Sequence, residues 1–201
     1  MTSSLTAGAA LILIDIQEGF KHPRWGQRNN PQAEERAAEL LSAWRTLGWP
    51  IYHVQHLSLE ADSPLRADAP GSSFQPLTAP LPGETIITKH VNSAFIGTDL
   101  EVRLRAAGTT QLVIAGLTTD HCVSTTTRMA GNLGFEVRLV RDAAATFERK
   151  AGGQPSGQCF TAQQMHDINL ASLDGEFACV LDSAEVLAAV GKAAGASQAT
   201  T

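Results

Sequence analysis

Ala115-Gly-Leu-Thr-Thr-Asp-His-Cys-Val-Ser-Thr-Thr-Thr-Arg128 is the stretch whose reading decides the fold. The apolar run Leu112-Val-Ile-Ala115 leads into it and reads as a buried strand. Behind it, apolar or small residues at Val123, Thr126, Thr127, Ala130 and Leu133 follow helical spacing. Gly134 stands where a helix C-cap belongs, and Phe135-Glu-Val-Arg-Leu-Val140 reads as the next strand. Cys122 therefore lies at a strand-to-helix turn, beside unpaired N–H groups and the positive end of a helix dipole.

The same alternation extends in both directions. Ala9 to Ile14 is a continuous apolar run, the mark of a strand buried on both faces, and it ends at Asp15. Residues 16–30 read as a loop carrying Phe20 and Trp25. Asn30 as N-cap, Pro31 at the first helical position and Glu34 and Glu35 in the first turn predict a helix through Leu47, stopped by Gly48 and Pro50. Ile51 to His56 is a second strand. Leu57 to Pro82 is long and irregular, with five of the nine prolines, a length typical of lids or oligomer arms. Thr85 to Thr88 is a third strand, ending at Lys89. Thr98 with Glu101, and Thr161 with Gln164, have capping-box spacing ahead of helical patterns. Ala143 to Gln158 reads as a loop, Phe177 to Leu181 as a sixth strand, and Ala184 to Val190 as a last helix. Residues 1–190 then form a single domain, with 191–201 a fraying tail.

Strands alternating with helices predict an α/β fold: three layers, α/β/α, around a six-stranded, mostly parallel, Rossmann-like sheet. Ligands of such sheets bind at the carboxyl ends of the strands. Asp15, Lys89 and Cys122 follow three different strands at that end, so the topology gathers an acid, an ammonium and a thiol.

Composition removes other classes. A 201-residue chain that is 43% apolar and 17% charged supports one full core. A net charge of −5 gives no electrostatic case for nucleic acid. The run from Ala9 to Ile14 is too short for a membrane span or a signal peptide. Three cysteines, Cys122, Cys159 and Cys179, suit free thiols in a reducing compartment, so a cytoplasmic location is expected. No phosphate-binding glycine motif follows any strand, which argues against a nucleotide-binding module.

The segments Leu13-Ile-Asp-Ile-Gln17, Ile87-Thr-Lys-His-Val-Asn-Ser-Ala-Phe-Ile-Gly-Thr98 and Ala115-Gly-Leu-Thr-Thr-Asp-His-Cys122 resemble the isochorismatase-like cysteine hydrolases, the superfamily that includes nicotinamidases. Similarity runs from about Ala9 to Phe147, and the third segment is the most specific. The resemblance implies an isochorismatase-like fold, an Asp15–Lys89–Cys122 triad and a cis peptide between Leu117 and Thr118. That bond turns backbone N–H groups toward the substrate carbonyl. Isochorismatases proper, which cleave an ether, lack the cysteine; Cys122 favours C–N hydrolysis through a thioester. Nicotinamidases carry an Asp-x-His metal pair, whereas Tyr52-His-Val-Gln-His-Leu57 has no acid at that spacing. Relatives of this type often form homodimers or homotetramers, and the same is expected here.

The resulting reading is a cysteine amidohydrolase of a small amide-type substrate, with no cofactor and no metal. Asp15 is the acid–base group, and Lys89 keeps it ionised. The helix N-terminus and Lys89 are expected to lower the Cys122 thiol pKa from its free value of about 8.5. Thr118 and Cys122 supply oxyanion N–H groups, with Leu117 on the other side of the cis bond. Phe20, Trp25 and Phe95 are candidate pocket walls, and Thr119 a candidate substrate contact. His53 and His56 have odd spacing on a strand and so face opposite ways, which disfavours a shared metal. The competing readings are a nicotinamidase-like metal-assisted amidase and a non-catalytic α/β ligand-binding protein. Cys159 and Cys179 read as ordinary thiols.

Overall fold

A computed structural model describes residues 5–150, 152 and 157–198. Strands β1 (Ala10–Ile14), β2 (Ile51–His56), β3 (Thr85–Lys89), β4 (Gln111–Leu117) and β5 (Glu136–Ala145) are followed by β6 (Arg149–Lys150), β7 (Cys159–Phe160) and β8 (Cys179–Leu181). Among the described residues six of them form one sheet, in the order β3-β2-β1-β4-β5-β8, and every neighbouring pair is parallel. β6 and β7 make a separate antiparallel pair.

Period-two alternation builds two cores from one sheet. Ala10, Ile12 and Ile14 of β1 face α2 (Leu100–Ala106), α3 (Ser124–Asn132) and α4 (Ala162–Leu173). Leu11 and Leu13 face α1 (Ala33–Leu47) and α5 (Ser183–Gln198). A strand covered on both sides must be apolar at every position, which is why β1 and β4 read as unbroken hydrophobic runs. Trp44 of α1 is fully buried and donates its indole N–H to the Ala9 carbonyl at 2.8 Å.

Several boundaries differ from the sequence reading. α1 begins at Ala33, and Asn30 is not its cap. Asn30 adopts φ 41°, and its side-chain amide donates to the carbonyls of Arg141 (2.9 Å) and Ala144 (2.7 Å), so a tertiary contact takes the side chain from the helix. The Thr98–Glu101 capping box does not form: Asp99 precedes α2, and the Thr98 hydroxyl donates back to the Ala94 carbonyl. The Thr161–Gln164 box does form. β5 runs on to Ala145, past the point where a loop was expected, across a register shift against β4 between Ile114 and Gly116. β8 starts at Cys179 rather than Phe177, whose ring instead lies 4.8 Å from the Arg128 guanidinium. α5 does not stop at Val190; alanines at 189, 193 and 194 keep helix propensity high, and it continues to Gln198. Residues 199–201 of the expected tail lie outside the described residues. The described helices include none long and apolar enough to cross a membrane.

The segment between β2 and β3 folds back on its own chain. Gln17 and Phe74 form a bridge, Glu18 N–H meets the Ser73 carbonyl, and Gln75 N–H meets the Ile16 carbonyl. This lays residues 58–75 beside the carboxyl end of β1.

Candidate active site

The order in which strands are added reverses between β1 and β4: β2 and β3 lie on one side of β1, β4 and β5 on the other. The crevice at that switch point is where a parallel sheet offers its strand ends to a ligand. Asp15 leaves β1 there in a left-handed conformation, φ 52°, which is costly for a residue with a Cβ. Gly116 on neighbouring β4 has φ 130°, and a Cβ on it would lie 2.1 Å from the Ile14 carbonyl oxygen. Only glycine lets β4 pass so close to the end of β1. The Leu117–Thr118 peptide is cis. Thr119–Val123 then form one π-helical turn before α3, and Cys122 sits within it.

These placements bring three side chains together. Lys89 Nζ lies 2.6 Å from Asp15 Oδ2 and 3.3 Å from Cys122 Sγ. The Asp15 and Lys89 side chains are wholly buried. Asp15 Oδ1 is buried with no hydrogen-bond partner among the described residues. The carboxylate, a ring nitrogen of His56 and Cys122 Sγ all fall within 4.8 Å of one another. The thiol also faces Asn92 Oδ1, at 3.9 Å.

Electrostatics correct one expectation. Burial, and next the Asp15 charge, push the Cys122 thiol well above its ordinary value; the pull of Lys89 does not offset them. Burial likewise raises Asp15 above the usual carboxylate range, with Lys89 opposing. One ammonium supports one anion in a dry site, and the short contact to Lys89 places that anion on Asp15. The resting pair is therefore carboxylate and thiol, not carboxylic acid and thiolate.

A cavity of about 300 Å³ opens onto Cys122. Phe20 and Trp25 line it as expected, and they cluster with Phe147, ring centroids 5.4–6.4 Å apart. Thr118 lines it too. Phe95 and Thr119 do not, contrary to expectation. Phe95 stacks on Phe135 in the core, and the fully buried Thr119 places Oγ1 2.8 Å from His166 Nδ1. Proximity in sequence says nothing about which side of the sheet end a side chain takes.

The cavity is also lined by His56, Ser58, Glu60, Ser63, Leu65, Asn92, His121 and Arg149, none of which the sequence reading placed in the pocket. His56 closes β2 at the same edge as Asp15 and Lys89, so the strand-end argument could have found it. The loop residues had no such signal. Arg149 is held by Asp120, Nε to Oδ2 at 2.9 Å, and Asp120 also accepts from the Thr146 hydroxyl. Asp120, in the first turn after Thr118, thus anchors the pocket wall. A larger open cleft of about 700 Å³, between Glu18, His22 and Asp68, holds none of the three gathered groups.

The residues at the end of β2 do not fit a metal of the nicotinamidase type. His53 turns away and meets Glu84 Oε2 at 2.8 Å, and Gln55 donates to the Ser72 carbonyl at 2.9 Å. Asp15, His56 and Cys122 are close enough to share a cation, but the Lys89 ammonium already points among them.

The comparisons with known proteins agree with this architecture. The isochorismatase domain matches residues 9–185. An isochorismatase family protein of Bacillus subtilis (strain 168), YrdC, is 43% identical over 178 residues, covering 89% of this chain and 94% of that protein. The maleamate amidohydrolase of Pseudomonas putida is 29% identical over 153 residues, covering 66% of this chain and 70% of that protein. A crystal structure of an isochorismatase-family chain from Chromobacterium violaceum superposes with a TM-score of 0.89 at 46% identity, covering 96% of this chain and all of that one. With its parallel sheet, its cis peptide before the cysteine turn and a domain match across nearly its whole length, this chain belongs to the isochorismatase family of hydrolases.

Proposed function

We propose that the protein is a cysteine hydrolase that cleaves an amide-type C–N bond of a small molecule through a thioester. The observation that carries this reading is the Lys89 ammonium bridging Asp15 Oδ2 and Cys122 Sγ at the floor of the cavity. The maleamate amidohydrolase relative supports the choice of bond.

In this mechanism Asp15 takes the thiol proton while the Cys122 sulfur attacks the substrate carbonyl carbon. Lys89 remains protonated and stabilises the thiolate as it forms. The carbonyl oxygen becomes an oxyanion facing the main-chain N–H groups of Thr118 and Cys122. As the tetrahedral species collapses, the C–N bond breaks, and Asp15 returns its proton to the departing nitrogen. Water then attacks the thioester. Asp15 takes one water proton, the C–S bond breaks, and Asp15 passes that proton to the departing Cys122 thiolate as the acid leaves. Loss of one oxyanion donor typically costs about 3–4 kcal/mol of transition-state stabilisation. Acid–base transfer contributes about 10²–10⁴-fold.

A panel of small amides assayed for ammonia or amine release tests the reading. Cys122→Ala should abolish turnover and leave a folded protein, and a slow substrate should leave an acyl adduct on Cys122 visible by mass spectrometry. Retention of more than about a tenth of wild-type turnover by Cys122→Ala would overturn the nucleophile assignment.

A further inference from the structure

His56 is the group at this site that the mechanism leaves without work. It ends β2 in direct register with Lys89 on β3, so the two side chains leave the sheet on the same face. Its Nδ1 lies 3.1 Å from Lys89 Nζ. A lysine ammonium has three N–H donors. Here each faces an acceptor: Asp15 Oδ2 at 2.6 Å, His56 Nδ1 at 3.1 Å and Cys122 Sγ at 3.3 Å.

The backbone of His56 is itself held in place. The β1–β2 ladder ends at Ile14 and Val54, because Asp15 turns out of the strand. The Gln17 side chain replaces the missing rungs. Its Oε1 accepts the His56 N–H at 2.9 Å, and its Nε2 donates to the His56 carbonyl at 3.0 Å and to the Ser72 carbonyl at 2.8 Å. Gln17 is completely buried, so this primary amide continues the sheet by two hydrogen bonds in the absence of strand.

We propose that His56 is a positioning residue of this site, whose Nδ1 takes the third ammonium N–H of Lys89 and so holds the other two on Asp15 Oδ2 and Cys122 Sγ. The inference rests on the cysteine-hydrolase reading for its purpose, but the geometry stands apart from it. A four-carbon side chain with a free donor would rotate, and the Sγ contact, the longest of the three, would be lost first. The ring must present a lone pair to do this. Burial, then the Lys89 charge, hold its pKa down to about 4, so it is neutral at ordinary pH. The charged or titratable groups around it are Lys89, Asp15, Cys122 and His90. With Nδ1 facing a cation, the ring proton belongs on Nε2.

The test is the rate at which iodoacetamide alkylates Cys122, followed by peptide-resolved mass spectrometry. It needs no substrate, so it is independent of what the enzyme hydrolyses. His56→Ala and His56→Leu remove the acceptor, and Leu keeps the bulk should Ala fail to fold. His56→Asn keeps an acceptor near the position of Nδ1. Loss of a directed donor should slow alkylation at fixed pH about tenfold, one pK unit of thiolate population. His56→Asn should restore most of the rate, and in a Lys89→Ala background His56→Leu should add nothing further. The proposal is overturned if His56→Leu labels at the wild-type rate, if Asn is as slow as Leu, or if the His56 and Lys89 effects simply add. Slow labelling with no amide turned over would instead remove the hydrolase reading and leave the positioning role intact.

Discussion

Asp15 carries opposing demands at a single residue. It must be ionised to accept a proton, yet it is wholly buried and strained at φ 52°. Burial raises its pKa, and Lys89 foremost, then the Cys122 contact, oppose that rise. The sign of the pH effect follows. The base form is lost as pH falls through a pKa above the ordinary carboxylate value of about 3.9, so kcat/KM should decline on the acid side at higher pH than a free aspartate would dictate. A pH–rate profile whose acid limb lies at or below that value would contradict the assignment. Asp15→Asn and Lys89→Ala should each lower turnover about 10²-fold or more, and the double variant should be far from additive, because each group sets the state of the other. Lys89→Ala should also cost stability, about 3–5 kcal/mol by chemical denaturation, since it strands a buried carboxylate.

At the scale of the element, two local devices decide whether the strand ends meet. The first is Gly116, where β4 crosses within van der Waals distance of Ile14. Gly116→Ala places a methyl 2.1 Å from a backbone oxygen and asks an L-residue to hold φ 130°. We expect a loss of about 3 kcal/mol or more, read as a lowered denaturation midpoint, together with loss of activity as the turn carrying Cys122 is displaced. The second is Glu84, which ties the entry of β3 to α1 and β2. Its carboxylate accepts from Arg45 at 2.7 and 2.8 Å, from the Leu81 N–H at 2.8 Å, and meets His53 at 2.8 Å. Arg45 foremost holds the Glu84 pKa down to about 2. A depressed carboxylate stabilises the fold above its unfolded pKa, and that stabilisation is lost as pH falls toward the folded value. Glu84→Gln should therefore lower Tm near neutrality, by an amount equivalent to about 2 kcal/mol. The gap from wild type should close on approach to pH 2; a gap unchanged in acid would contradict this account.

For the whole molecule, the doubly covered sheet fixes where chemistry can occur. β1, β3 and β4 release their chains together at the carboxyl edge, and the segment from β2 to β3 folds over it through Ser58, Ser63 and Leu65. The site works, on this reading, without a divalent metal, because an ammonium stands among the donors that could have held one. Dialysis against a strong chelator should leave turnover unchanged, and zinc should not raise it. Activity lost on chelation and regained with zinc, iron or manganese would favour the metal-assisted alternative.

Periodicity and strand ends made most of this legible. Continuous apolar runs at Leu112 and Ala9 determine a parallel sheet and its active edge, because a strand buried on both faces has no other composition open to it. Asp15, Lys89 and Cys122 followed from that edge together with a family resemblance. Tertiary structure alone decided which neighbouring side chains turn inward. Phe95 and Thr119 lie within a few residues of the site and point into the core, while Arg149, 27 residues beyond Cys122, lines the pocket. It also decided the sign of the Cys122 pKa shift. Charge near a thiol is visible in sequence, but the desolvation that outweighs it is a property of the packed interior, set by every element that excludes water from the site.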